Sequence, residues 1–392
     1  MIQPTPTSRG RALRHGDFST LCDALDYAAG CETGFNYFDG KANLKTVLPY
    51  AQLRERAQNL AKRLVLFAEK DARIGLAAVM NALIDPNKFK NPSITAKGEK
   101  RASVFFKDLT TLWFNSGSLC NIECANCYIK SSPTADHFVY LTPEDMAPYL
   151  DEIEELGYGQ IEIAFTGGEP YLNPHMLRLS EMALERGHDL LVLTNAMKPM
   201  MRPRVQKGLL DLQSRFPNKM TLRVSLDHFS EEGHDQERGA GSFAIALKGM
   251  AWLTEHGFTL NIAGRAMFSE SDGVARKGYG DLIKTEGWKI DANDPAATIL
   301  FPEMDEAVDV PEISAACWGI LDVHPDSMMC ATSRMVVKRK GEDKAAVLAC
   351  TLLWDDPQFE TGKTLKESLG PVKLNHPHCS KFCVLGGASC SA

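Results

Sequence analysis

Long apolar runs are missing from this sequence of 392 residues. None approaches the roughly 18 residues that span a bilayer, and the first residues lack the apolar segment of a secretory signal. Acidic residues are absent from the first 16 positions, which are Arg-rich in the manner of a transit peptide, but Pro4 and Pro6 oppose the amphipathic helix such a peptide needs. The expectation is a flexible tail on a cytoplasmic protein, with no membrane partner. A basic surplus is lacking too: a net charge of -7 gives no reason to expect nucleic acid or an acidic membrane surface as partner. Internal repeats and low-complexity segments are absent. What remains, 44% hydrophobic and 24% charged, has the balance of a globular chain long enough for two or three folding units.

Cysteine, by contrast, is plentiful. Eleven cysteines without an export signal argue for reduced thiols, and so for metal ligation in preference to a disulfide framework. Cys120, Cys124 and Cys127 form one cluster, and Cys317, Cys330, Cys350, Cys379, Cys383 and Cys390 crowd the C-terminal part. Cys22 and Cys31 read as ordinary buried thiols.

From about residue 109, short apolar runs alternate with longer amphipathic ones. "LTTLWFN", "QIEIAF", "DLLVLT", "MTLRVSL", "FTLNIAG" and "ATILF" have the length of buried strands. Helices are expected between them, clearest in "TPEDMAPYLDEIEELG", where Thr142 can cap, Pro143 suits the first helical position and Gly157 can end the helix. Further helices are expected near 174–186, 202–215, 242–256 and 272–285. Six strands alternating with helices imply a parallel sheet, as an open doubly wound sheet or a partial barrel, with the chemistry at the C-terminal strand ends. Beyond about residue 310, "MVVKRKGEDKAAVLACTLL" reads as a hairpin. The N-terminal hundred residues look mainly helical, with Leu53, Ala57, Leu60, Ala61 and Leu64 on one face, and the polar stretch "DPNKFKNPSITAKGEKRAS" reads as a linker.

The spacing C-x3-C-x2-C at Cys120, Cys124 and Cys127 lets one loop gather three thiols, but a fourth cysteine is missing from it. A structural zinc site takes four protein ligands. A cubane iron–sulfur cluster held by three thiolates instead leaves one iron open to a small molecule. The next predicted strand ends in "AFTGGEP", where Gly167 and Gly168 permit close backbone approach and Glu169 adds a carboxylate.

These two motifs together resemble the radical S-adenosylmethionine (radical SAM) enzymes, over roughly residues 108 to 305. The resemblance implies an α/β fold, a partial (βα)6 TIM-like barrel, in which Cys120, Cys124 and Cys127 hold a [4Fe-4S] cluster and S-adenosyl-L-methionine chelates the fourth iron. It implies reductive cleavage of that cofactor to a 5'-deoxyadenosyl radical, with an electron donor such as flavodoxin or ferredoxin. On the same resemblance Gly167, Gly168, Glu169 and Pro170 bind the cofactor. "LTNA" with Thr194 and Asn195, and "VSLDH" with Ser225 and Asp227, match later pieces of the pattern and add cofactor-binding candidates. "HDQERGAGSF" is similar to a stretch of the peptide-modifying branch, one residue shorter between its glycines, and brings in Arg238; Arg265 follows the fifth strand, and either guanidinium can fork onto a carboxylate. Taken singly, each of these later residues has an ordinary structural reading as well: a backbone bond for Ser225, a helix cap for Asp227, a solvated charge for the arginines.

The cysteine-rich tail resembles the SPASM or shorter Twitch extensions that bind auxiliary iron–sulfur clusters. Cys330, Gly341 and Cys350, then Cys379, Cys383 and Cys390, fit that pattern loosely, with one cysteine fewer in the second block; one auxiliary cluster fits better than two, Cys317 is a further candidate ligand, and zinc is the structural rival. Residues 18–64 resemble the opening of fatty-acyl-AMP ligases, but no phosphate loop or adenylation core follows, so this stretch reads as a remnant or docking appendage. The expected organisation is a mainly helical appendage and linker at 1–107, the radical SAM core at 108–310 and the cysteine-rich extension at 311–392. The substrate is open between a peptide and a small molecule, the residue that acts on it is not identified, and the rival of another class is a zinc- or iron–sulfur-binding regulatory protein without turnover.

Overall fold

The computed structural model describes residues 34–38, 44–49, 85–267, 270–302 and 309–386. The chain divides into two units, Met1–Ile84 and Asp85–Ala392. In the first, strands β1 (Gly34–Phe38) and β2 (Leu44–Pro49) form an antiparallel hairpin. Nothing in the mainly helical expectation pointed to it. The helix expected around Leu53 to Leu64, and most of the stretch resembling acyl-AMP ligases, lie outside the described residues.

The second unit is built on one sheet. After β3 (Ser103–Val104), the six expected strands form as β4 (Thr111–Asn115), β5 (Glu162–Thr166), β6 (Asp189–Thr194), β7 (Met220–Ser225), β8 (Thr259–Ala266) and β9 (Thr298–Pro302). They pair parallel and in sequence order. That order decides between the two architectures left open by the sequence. A doubly wound sheet reverses its strand order, whereas right-handed crossovers that always step the same way place every helix on one face and make a partial barrel.

The core confirms the placement. Leu112, Phe114, Ile163, Phe165, Leu190, Val192, Leu222, Val224 and Ile262 point to the helical layer and share a core with Met146, Leu150, Leu179, Leu209, Met250 and Tyr279. The alternate residues Trp113, Ala164 and Leu191 point inward and pack in a second core with the C-terminal part. Burial on both faces is why these strands read as continuous apolar runs.

The helices are α1 (Pro143–Glu155), α2 (Met176–Glu185), α3 (Pro203–Arg215), α4 (Glu231–Arg238), α5 (Ser242–Glu255) and α6 (Asp272–Glu286). At α1 the side chain of Thr142 accepts from the Asp145 amide while Asp145 accepts from the Thr142 amide, a reciprocal cap. Helix α4 was not expected. Ser230 caps it, Gly239 at φ 95° ends it, and its Asp235 carboxylate accepts from the amides of Gly241 and Phe243 and from the Ser242 hydroxyl, starting α5. The "HDQERGAGSF" stretch is therefore a helix–turn–helix joint with a built-in cap.

The C-terminal hairpin forms from β10 (Ser333–Val337) and β11 (Ala346–Leu348), followed by β12 (Glu360–Gly362). Strand β10 pairs parallel to β4, so this region continues the barrel sheet past its first strand. A short helix, α7 (Cys317–Leu321), precedes it, and β13 (Val372–Lys373) pairs with β3.

The polar stretch expected as a linker is packed instead. Arg101 is fully buried and pairs with Glu312, whose other carboxylate bonds come from the Phe89 and Ala96 amides. The Ala102 amide donates to Ile313, and Leu374 donates back to Ala102. Partners more than 200 residues away in sequence hold this strap, which local polarity cannot reveal.

Candidate functional site

The loop that follows β4 carries Cys120, Cys124 and Cys127 at the C-terminal end of the strands. Its start is held against the segment after β5. The Gly168 amide donates to the Gly117 carbonyl at 2.9 Å, and the Glu169 amide to the Leu119 carbonyl at 3.1 Å. A Cβ on Gly168 would lie 2.1 Å from the Leu119 carbonyl oxygen, and one on Gly167, at φ 142°, would lie 2.6 Å from the Ser116 hydroxyl. Both glycines are thus required by the close approach of the cysteine loop's own backbone.

Glu169 does not reach the cavity wall. It is buried, accepting from the Thr194 hydroxyl at 2.9 Å, the Asn195 amide at 2.9 Å and the Tyr171 amide at 3.1 Å. Burial pushes its carboxyl up to about 7, against these hydrogen bonds. It fixes Asn195, whose side-chain amide donates to Asn121 at 2.9 Å, one residue from Cys120. Pro170 is buried and opens a short turn, Pro170–Leu172.

A third post stands on β7, β8 and α4. Asp227 accepts from Arg238 at 2.8 and 3.2 Å, and Arg265 Nε lies 3.4 Å from the same carboxylate. Despite its burial, Arg238 and then Arg265 hold Asp227 below the usual carboxylate range. Arg265 also donates to the Asn126 carbonyl at 2.7 Å and lies over the Tyr128 ring, so it reaches the cysteine loop.

One cavity gathers these groups. Cys120, Cys124, Cys127, Gly167, Gly168, Thr194, Asn195, Ser225, Asp227, Arg238 and Arg265 all line it; among the described lining residues, Glu169 and Pro170 are not included. Its wall also includes Trp113, Tyr128, Leu193, Arg223, Ala263, Phe301, Thr351 and Leu352, which motif reading did not single out. The inward strand positions had a signal: Arg223 precedes Ser225 by two residues and Ala263 precedes Arg265 by two, the period of one sheet face. Thr351 and Leu352 had none, since they arrive from the C-terminal hairpin.

The donor set suits a metal cluster. Burial pushes the Cys120 thiol up to about 12, with Glu169 and Cys124 adding to the rise, and burial also raises Cys124 while Arg238 opposes. A bound cationic centre reverses that balance, because thiolate is the ligating form. Among the described residues, no three His, Cys, Asp or Glu side chains converge tightly enough to hold a single metal ion.

In the tail, Cys330 and Cys379 are buried and Cys350 and Cys383 half-buried, all within or against one core. Burial, then Cys350 and Cys330 as neighbours, raises the Cys379 thiol well above its ordinary value. Cys379 and Cys383 share the π-helical turn Cys379–Val384, whose Phe382 stacks on Phe301 of β9. Cys317 starts α7, its sulfur 3.6 Å from the Ser314 hydroxyl. Cys390 lies outside the described residues. The 350–355 segment also touches the cysteine loop: Trp354 donates to the Tyr128 carbonyl at 2.8 Å and stacks on His137. Among the described residues no helix is long and apolar enough to cross a membrane.

Comparison with known proteins agrees with this geometry. Residues 114–271 match the Radical SAM superfamily. Over 145 residues the chain is 33% identical to the antilisterial bacteriocin subtilosin biosynthesis protein AlbA of Bacillus subtilis, covering 37% of this chain and 30% of that one. Over 139 residues it is 29% identical to the mycofactocin maturase MftC of Mycobacterium ulcerans, covering 36% and 35%. A 66-residue stretch is 47% identical to a candidate acyl-CoA synthetase of Caulobacter vibrioides, 17% of this chain and 12% of that protein. The chain thus spans about a third or less of the length of these relatives. Residues 114–271 belong to the Radical SAM superfamily.

Proposed function

We propose that the protein is a radical SAM enzyme that modifies a peptide. The observation that carries this reading is the convergence of three loop cysteines with Gly167, Gly168, Thr194, Asn195, Ser225, Asp227 and Arg265 on one cavity at the C-terminal strand ends. Cys120, Cys124 and Cys127 would hold the [4Fe-4S] cluster, leaving one iron for the amino and carboxylate groups of S-adenosylmethionine. When bound, the pair supplies one-electron chemistry, the reductive cleavage of the sulfonium.

The chain's own residues do the rest. Gly167 and Gly168 let the second segment lie against the cysteine loop, and Glu169 fixes Thr194 and Asn195 at the rim. Asp227 holds Arg238 and Arg265 as oriented guanidiniums on the wall, suited to a carboxylate. The inner residues Trp113, Leu193, Ala263 and Phe301 add an apolar stretch to the wall, which disfavours water there. Cys330, Cys350, Cys379 and Cys383, with Cys390, would hold one auxiliary cluster, with Cys317 in reserve. A small one-electron protein such as flavodoxin or ferredoxin would serve as donor.

The peptide class is supported by the relatives, one named for bacteriocin biosynthesis and one as a maturase. The test is anaerobic incubation of iron-loaded protein with S-adenosylmethionine and dithionite. The reading expects 5'-deoxyadenosine from the wild type and none from a Cys124→Ala variant; equal amounts from both, or none from fully loaded wild type, would contradict it.

A further inference from the structure

Two residues lie between Cys124 and Cys127, and both are gripped from outside the loop. The Ala125 amide donates to the Glu237 carbonyl at 2.9 Å, and the Asn126 side-chain amide donates to both Glu237 carboxylate oxygens at 3.0 Å. On the opposite side, Arg265 donates to the Asn126 carbonyl at 2.7 Å. Arg265 is tied through Asp227 to Arg238, the residue after Glu237 on α4. The contacts close a ring from α4 through the cysteine loop to β8, then through Asp227 back to α4. Glu237 is buried at 7% exposure, although it sits at the end of an otherwise polar helix.

We propose that Glu237 is a positioning residue, its side chain the outer half of a latch that sets the spacing of Cys124 and Cys127 by holding Asn126, beside the Ala125 amide that its backbone carbonyl holds. It touches no reacting atom and lines no part of the cavity. Its effect on ligand geometry rests on the cluster reading above, but its grip on the loop does not. A loop of two residues between ligands has little stiffness of its own, because Asn126 and Ala125 have no strand or helix to satisfy their backbone. Rigid support from a second layer is what holds ligand geometry within the tolerance that metal sites need.

The test uses the whole chain of 392 residues. Hydrogen exchange across residues 121–130 is first measured without iron, in wild type, Glu237→Ala, Glu237→Gln, Asn126→Ala and the Glu237→Ala/Asn126→Ala double variant. A hydrogen bond to a charged group is worth about tenfold in a local equilibrium, so each single alanine should speed exchange there by about that factor. The double variant should be no faster than either, since both remove one contact. Glu237→Gln keeps an acceptor and should recover most of the protection, which separates a lost contact from a misfolded helix. Unchanged exchange in both single variants would overturn the side-chain latch, since the backbone bond from Ala125 to the residue 237 carbonyl is kept in every variant.

The second readout is the electron paramagnetic resonance signal of the reduced, iron-loaded protein. Glu237→Ala should alter it and Glu237→Gln restore it. An unaltered signal beside accelerated exchange would overturn the claim that the latch sets ligand geometry. A wild type that takes up no iron would contradict the cluster reading instead, and the iron-free exchange result would still decide the latch.

Discussion

Substitution of Gly168 by alanine tests the geometry of the site most sharply among single changes. A Cβ there would sit 2.1 Å from the Leu119 carbonyl oxygen, 2.5 Å from its carbon and 2.8 Å from the Ser118 oxygen. All three are backbone atoms, so no rotamer relieves the clash. To reach even 3.0 Å, the limit below which real Cβ atoms essentially never come, the two segments must part by about 1 Å. That movement breaks or stretches the bonds from Gly168 to Gly117 and from Glu169 to Leu119. Overpacking costs about 1–3 kcal/mol and each of the two lost bonds about 1 kcal/mol, so about 3–5 kcal/mol in all is expected. For a unit of this size that corresponds to a fall in Tm of roughly 5–10 °C. Because Cys120 follows Leu119 directly, the displacement also reaches the first ligand, and a 1 Å misplacement costs about 100-fold in rate. Thermal unfolding and deoxyadenosine formation are the assays, with Gly159→Ala as control, where a Cβ meets nothing within 4 Å. Wild-type Tm and rate in Gly168→Ala would refute the close-approach argument.

Two further outcomes follow from buried charge. His234 is 1% exposed, its ring nitrogens have no hydrogen-bond partner among the described residues, and burial followed by Arg238 depresses it from 6.5 to about 4. The unfolded chain therefore binds a proton that the folded one refuses between these values, so stability is lost as pH falls from 6.5 through about 4, by at most about 3 kcal/mol. Denaturant unfolding of His234→Phe should be less pH-dependent than wild type in that window; parallel curves would contradict the assignment. Arg101→Met strips the buried Glu312 of its cation, which costs about 3–5 kcal/mol, and should free the 85–104 strap to proteolysis before the barrel unfolds. Undiminished protease resistance of the strap would count against its anchoring by this pair.

What could be read from the sequence depended on where each residue's partners lie. The six barrel strands were legible because burial on both faces writes an unbroken apolar run, and α1 because its cap, its proline and its stop all sit in the helix or within two residues of its ends. Helix α4 escaped notice because "EEGHDQER" has no apolar stripe and its role is fixed by contacts to Asn126 and Asp227. The strap reads as a linker until Glu312, Ile313 and Leu374 are brought to it. At the site, spacing alone picked out Cys120, Cys124 and Cys127. It also picked out Gly168 and Glu169, but not their work: the glycine faces the carbonyls of Ser118 and Leu119, and the carboxylate props Thr194 and Asn195. The tail cysteines were visible as a group, while the proximity of Cys330 and Cys350 to Cys379 needed the hairpin and the π-helical turn in place.

The central claim is that Cys120, Cys124 and Cys127 hold one [4Fe-4S] cluster and the tail holds another. Anaerobic reconstitution with iron and sulfide counting, on wild type and on a Cys120→Ala/Cys124→Ala/Cys127→Ala variant, tests it directly. The account expects about eight irons in wild type and about four in the variant. Equal iron in both proteins would contradict it.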